Sequence, residues 1–88
     1  IGSNVETLYH ILDGQAEALE FAVREKSAVT GIPLSELKLK NNLLIACINR
    51  NGLIQIPRGH DTIQPGDTVI VVTTAKGLND LSDILQMK

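Results

Sequence analysis

Apolar residues recur at more than one spacing along this chain, and each spacing predicts an element. In residues 19–23, Leu19, Phe21 and Val23 alternate with Glu20, Ala22 and Arg24. A period of two marks a strand with one buried face. Asp13-Gly14 precedes this strand, and that pair favours a tight hairpin turn because Gly accepts positive φ. Before the turn, Val5, Leu8, Ile11 and Leu12 suit a short helix as well as a strand. The turn favours the strand, which could then pair in a hairpin. Residues 43–48 are apolar without a break. As a strand they would point Leu43, Ile45 and Cys47 to one side and Leu44, Ala46 and Ile48 to the other. Asn51-Gly52 is the strongest two-residue hairpin signal in the chain. A return strand follows over residues 53–56, ended by Pro57. Gln64-Pro65-Gly66-Asp67 places Pro and Gly where a type II turn wants them. A last strand covers residues 68–74, with residues 69–72 apolar on both faces.

Two segments read as helices. In Ile32-Pro33-Leu34-Ser35-Glu36-Leu37, Pro33 suits a first helical turn, and Leu34 and Leu37 share a face. Near the end, Leu78, Leu81, Ile84 and Leu85 recur at helical spacing, with Thr74 or Asn79 as the cap. The expected fold is α+β: a small, mostly antiparallel sheet with two short helices on one face, in β-α-β-β-β-α order after an N-terminal hairpin or linker segment. Two helices cover one face of the sheet, yet the central strands are apolar on both. The uncovered face predicts a partner surface. A homodimer, or docking onto another domain of a parent protein, follows from it.

Composition narrows the class. Eighty-eight residues make one domain with a modest core. Tyr9 and Phe21 are the two aromatics, so Leu, Ile, Val and Ala must build that core. A net charge of −2 with few aromatics argues against nucleic acid, which calls for clustered cations and stacking rings. The longest apolar run is far short of the ~20 residues a membrane-spanning helix needs. One cysteine, Cys47, forms no internal disulfide and fits a reducing cytoplasm. The chain begins at Ile1 and has no signal-peptide pattern. It reads as a piece of a longer protein, with residues 2–4 partly a remnant of cloning.

Candidate chemistry is sparse. His60 lies in Arg58-Gly59-His60-Asp61, but neighbours in sequence rarely orient each other as a catalytic dyad does, and no G-x-S-x-G surrounds a serine. Cys47 sits within an apolar strand and reads as structural. One Cys and two distant His have no metal-site spacing. Gly52, Gly59 and Gly66 are explained by turns and form no phosphate-binding loop. Glu17 and Glu20 fall on opposite faces of a strand and read as solvated or edge-guarding. Arg50 and Arg58 invite an anion-site reading, but both flank turns, where a solvated arginine is favoured. No enzyme is expected.

An ordered set of motifs carries a resemblance. Leu19-Glu20-Phe21-Ala22-Val23, Gly31-Ile32-Pro33-Leu34-Ser35-Glu36-Leu37, Leu44-Ile45-Ala46-Cys47-Ile48-Asn49-Arg50-Asn51-Gly52, Ile56-Pro57-Arg58-Gly59 and Ile63-Gln64-Pro65-Gly66-Asp67-Thr68-Val69-Ile70-Val71-Val72 stand in that order. Together they resemble the TrkA C-terminal domain, the C-lobe of RCK (regulator of potassium conductance) proteins. The resemblance implies that residues 13–88 are the regulatory lobe and residues 1–12 a linker or first strand from a preceding lobe. It implies a non-enzymatic, ligand-sensing and dimerising role in a cytoplasmic subunit, peripheral to the inner membrane, that gates a potassium transporter or channel. Antiporters and dicarboxylate carriers are alternative parents. NAD(H) or ATP would bind the preceding lobe, which lacks any counterpart here. Some members bind cyclic di-AMP at the C-lobe dimer interface. By alignment that site would comprise Leu37, Leu39, Lys40, Leu44, Ile45 and Pro57. Lys40 stands where an arginine is expected, and a lysine cannot make the bidentate fork. Asn41-Asn42 stands where an aromatic often sits. A plain dimerisation surface is therefore favoured over a nucleotide site.

Overall fold

A computed structural model describes residues 4–87. The reading of residues 2–4 as a cloning remnant falls largely outside that range. Five strands form one sheet: β1 (Val5–Ile11), β2 (Ala16–Ala22), β3 (Leu43–Arg50), β4 (Leu53–Gln55) and β5 (Thr68–Thr73). Their spatial order is β1-β2-β5-β3-β4, and every neighbouring pair is antiparallel. The last strand in sequence is thus the central one. That placement suits its composition, because a strand apolar on both faces belongs where neighbours shield it on either side.

The turns follow local chemistry. Asn51 and Gly52 have φ of 54° and 83°, the left-handed pair that a two-residue hairpin requires. Asp67 N–H donates to the Gln64 carbonyl across the Pro65-Gly66 turn, with Gly66 at φ 96°. The β1–β2 hairpin is wider than a two-residue turn. Leu12, Asp13 and Gly14 all adopt positive φ, and Gly14 and Gln15 N–H groups donate back to Ile11 and Leu12 carbonyls.

One face of the sheet carries the core. Leu19 and Phe21 of β2, Ile45 and Ile48 of β3, and Val69 and Val71 of β5 are buried there with Val23, Val29, Ile63, Leu78, Leu81, Ile84 and Leu85. Leu34, Leu37 and Leu39 pack against this cluster from its margin.

The α+β expectation with two helices is overturned: the fold is a five-stranded antiparallel sheet. The described residues contain no α-helix, only 3₁₀ turns at Leu34–Glu36 and Leu81–Ile84. The reason lies in backbone hydrogen bonding. Gln86 N–H donates to the Lys38 carbonyl and Lys40 N–H to the Ile84 carbonyl, while Leu39 bridges Leu85. Backbone groups that a helix would bond internally are used between the 38–40 and 84–86 segments. A helix of so few residues is marginal by itself, so packing and external hydrogen bonds win. Gly77, at φ 85°, also interrupts the path from Thr74. The cap is Asp80, not Thr74 or Asn79: its carboxylate accepts from Ser82 N–H at 3.0 Å, and Asp83 reaches back to Asp80 N–H at 3.0 Å.

A second correction concerns β3. The pairing with β5 runs Ile45↔Val71 and then Cys47↔Ile70, so Ala46 is the extra residue of a bulge. The bulge returns Ile48 to the core face and sends Cys47 to the other. Cys47 is half-buried there, beside Leu44's side of the sheet and opposite Ile45's.

Candidate functional site

The site is the face of the sheet away from the core. Strand alternation brings Thr7, Tyr9 and Ile11 of β1 to it, and Ala18, Glu20 and Ala22 of β2. From β5 come Ile70 and Val72, from β3 Leu44 and Cys47, and from β4 Ile54. Tyr9 is 60%, Leu44 62% and Ile54 70% exposed. Ala18 and Ala22 are half-buried, and Ala16 is buried. The result is a mostly apolar surface, with small residues on β2 and large ones on β1, β3 and β4. Large aliphatic side chains left in water forgo the ~1.5–3 kcal/mol each could gain on burial, which a partner would recover.

A shallow groove adjoins this face. Leu34, Ser35, Leu39, Leu43, Leu44, Ile45, Pro57, Arg58 and Gly59 line it. Four of the six residues named from sequence meet here: Leu39, Leu44, Ile45 and Pro57. Leu37 and Lys40 are outside the lining. Leu37 packs on the core margin, and Lys40 is half-buried with its N–H on the Ile84 carbonyl at 2.8 Å. The six did not include Leu34, Ser35, Leu43 and Gly59, and Arg58, weighed as an anion contact, had been set aside as solvated. Ser35 N–H donates to the Gly59 carbonyl at 2.9 Å, which joins the 3₁₀ turn to the loop after Pro57. A Cβ at Gly59 would come within 3.1 Å of Ser35 Cβ, so this glycine permits a close approach as well as a turn. Arg58 is exposed, and its backbone N–H is held by Asp61 Oδ2 at 2.7 Å. It supplies a cation at the groove, and its position beside Pro57 was the signal available. The groove measures about 230 Å³, below the ~300–1,000 Å³ of sites that enclose a small ligand.

The other charged residues divide differently. Arg50 is not solvated: it pairs with Asp67 through two contacts of 2.9 Å. This bond raises the guanidinium's affinity for its proton. Burial pushes the Asp67 carboxyl up, but Arg50 and the Gln64 N–H outweigh it and hold the group below the usual carboxylate range. Glu17 is not solvated either, being 6% exposed on the core side of β2. His60 Nε2 lies 3.7 Å from Asp61 Oδ1, with the imidazole 80% exposed, a geometry that orients nothing. Among the described residues no group of three His, Cys, Asp or Glu side chains could hold a metal ion. Among the described residues no helix is long and apolar enough to cross a membrane.

These features define a small antiparallel β domain with one uncovered apolar face. Residues 18–86 match the model of the TrkA-C domain family, and the chain is a member of that family. It is 38% identical over 71 residues to a Trk system potassium uptake protein TrkA homolog of Archaeoglobus fulgidus, covering 81% of this chain and 16% of that one. It is 35% identical over 74 residues to a protein of the same description from Pyrococcus abyssi, covering 83% and 33%. It is 31% identical over 81 residues to TrkA homolog 1 of Methanosarcina mazei, covering 92% and 18%. The chain thus spans between about a sixth and a third of the length of these curated relatives.

Proposed function

We propose that this domain is a non-catalytic regulatory module of a Trk-type potassium transport system, and that it acts by self-association through the face of the sheet away from the core. The observation that carries this reading is the uncovered apolar surface around Tyr9, Leu44 and Ile54 in a TrkA-C domain. The relatives are described as potassium uptake proteins, which supports potassium transport over an antiporter or another carrier as the setting. The working place would be the cytoplasmic side of the membrane, reached through the longer parent protein. Five strands ~4.8 Å apart and about six residues long offer a footprint of roughly 500 Å². That is at the low end of what specific interfaces bury per partner. A weak, reversible dimer follows, which suits a switch better than a permanent joint. A ligand would act by favouring one arrangement of the paired lobes, and could shift it only by its differential affinity for the two.

Sedimentation velocity over a range of concentrations tests this reading. A concentration-dependent shift from monomer to dimer supports it. A chain that stays monomeric at the highest attainable concentration overturns it.

A second reading, a cyclic di-AMP sensor, is favoured by one observation. The groove gathers Leu39, Leu44, Ile45 and Pro57 with the Arg58 cation. Its small size argues that one copy makes at most half of such a site.

A further inference from the structure

The two edges of the sheet differ. β4 has three residues and ends near Pro57, so it offers another strand little to pair with. β1 has seven residues and contains no Pro, Lys or Arg to guard its edge. The direction of its backbone groups follows from β2. Val23 N–H donates to the Asp67 carbonyl and Gly66 N–H to the Val23 carbonyl, so Val23 turns toward β5. By alternation Phe21, Leu19 and Glu17 also turn toward β5, while Ala22, Glu20, Ala18 and Ala16 turn toward β1. Thr7, Tyr9 and Ile11 stand opposite Glu20, Ala18 and Ala16, and their groups are used within the sheet. Leu8 and His10 stand opposite Leu19 and Glu17, so their N–H and C=O groups point out from the edge. Val5 turns outward as well, but its N–H is taken by the Asn79 carbonyl at 3.2 Å, and Asn4 bridges Asp80. The open stretch of the edge is therefore residues 7–11.

We propose that this stretch pairs antiparallel with the same stretch of a second copy, about a two-fold axis at Tyr9. The register is set by what is free. With Tyr9 opposite Tyr9, Leu8 of each copy faces His10 of the other, and each such pair exchanges its N–H and C=O bonds. Every outward group of Leu8 and His10 is then satisfied. A centre at Leu8 would lay Ile11 of the second copy against Val5, where Asn79 already sits. A centre at His10 would lay Leu8 against Leu12, whose φ of 53° takes it out of the strand. The side chains suit the same register. The exposed Tyr9 meets its own copy in a close, non-hydrogen-bonded pair, where aromatic pairs are favourable and no like charges oppose each other. Thr7 meets Ile11 on that face, and Leu8, 41% exposed, lies beside the His10 ring on the other. The product is one continuous ten-stranded sheet with the two uncovered faces side by side. A strip about 17 Å long and one strand thick buries far less than the ~800 Å² per partner of a standard interface. The edge contact is thus weaker than a face contact and short-lived by itself. It is separate from the face contact proposed above and does not rest on it.

Disulfide trapping tests the register. The background carries Cys47→Ala, which removes the native thiol, and Leu44→Asp, which silences the face. Tyr9→Cys and Leu12→Cys are each oxidised in it at equal protein concentration. The Cα atoms of a close antiparallel pair lie ~4.5 Å apart, within disulfide reach. Tyr9→Cys is expected to form the linked dimer about tenfold faster or more than Leu12→Cys, although Leu12 is the more exposed, at 74% against 60%. His10→Pro removes an outward N–H and no bond within the sheet, so it should leave the chain folded by circular dichroism yet abolish the fast trapping. Equal rates for Tyr9→Cys and Leu12→Cys overturn the proposal, as does fast trapping that survives His10→Pro in a folded chain. If His10→Pro unfolds the chain, the rate comparison decides. Sedimentation of wild type reports on the face: a monomeric wild type with fast Tyr9→Cys trapping overturns the face reading and supports the edge.

Discussion

Arg50 and Asp67 meet at two points, Nε to Oδ1 and Nη2 to Oδ2, each at 2.9 Å. The same Nη2 donates to the Thr62 carbonyl at 2.9 Å, and Asp67 Oδ2 accepts from Gln64 N–H at 2.8 Å. One ion pair thus ties the end of β3 to the loop at residues 62–64 and to the start of β5. Asp67→Asn keeps the size but removes the countercharge. Breaking a fully buried pair costs about 3–5 kcal/mol. Here the Arg50 side chain is 38% exposed, so solvent takes up part of the loss, and about 2–3 kcal/mol is expected in urea unfolding.

The same pair sets an acid limit. Asp67 is held below the ordinary carboxylate range in the folded state. A depressed folded value means stability that is fully present above the unfolded value of ~3.9 and is lost as pH falls through the folded one. The stability gap between wild type and Asp67→Asn should therefore be constant from neutral pH to about pH 5 and shrink below about pH 4. Unfolding curves at stepped pH check this. A gap that persists unchanged in strong acid would mean that the charge is not what matters.

Leu44→Asp and Ile54→Asp place a charge on the uncovered face without touching the core cluster. Melting temperatures should stay within a few degrees of wild type, as for surface changes worth under about 0.5 kcal/mol. Self-association seen by sedimentation should be lost in both, because unpaired charges would be desolvated on pairing. Retained dimerisation in both variants would assign the contact to another surface.

The bulge at Ala46 makes neighbouring residues of β3 unequal. Ile48 is fully buried, and Ile48→Ala is expected to cost about 2–5 kcal/mol through lost burial and a cavity. Cys47→Ala, on the half-exposed face, should cost under about 1 kcal/mol. Simple alternation from Ile45 assigns the opposite order, so two urea titrations distinguish the register.

In the groove, titration calorimetry with cyclic di-AMP and with ATP is expected to give no heat beyond dilution, since the surface is small and Lys40 is outside it. Measurable heat that disappears in Arg58→Ala would establish the sensor reading instead, with Arg58 as the phosphate contact.

The candidate site was partly legible for a simple reason. Period-two patterning reports both faces of a strand, so the surplus apolar residues of β3 and β5 were visible before any fold was known. Leu39, Leu44, Ile45 and Pro57 came together because they flank the same strand and turn. Leu37 and Lys40 did not, because the backbone of residues 38–40 is tied to residues 84–86. Arg58 was set aside as solvated because a cation next to a turn has the same local sequence whether it faces a groove or open water.

What this sequence determined alone is what depends on near neighbours. That includes the strands at residues 43–50 and 68–73, the left-handed turn at Asn51-Gly52, the Pro65-Gly66 turn and the excess of aliphatic surface. The tertiary structure decided what depends on distant partners. It put β5 between β2 and β3, and it opened the bulge that sends Cys47 outward. It replaced two helices by single 3₁₀ turns, because the Lys38 and Ile84 carbonyls found donors outside their own segments. It also buried Glu17 and paired Arg50, since the burial of a charge is fixed by what packs over it and not by its neighbours in the chain.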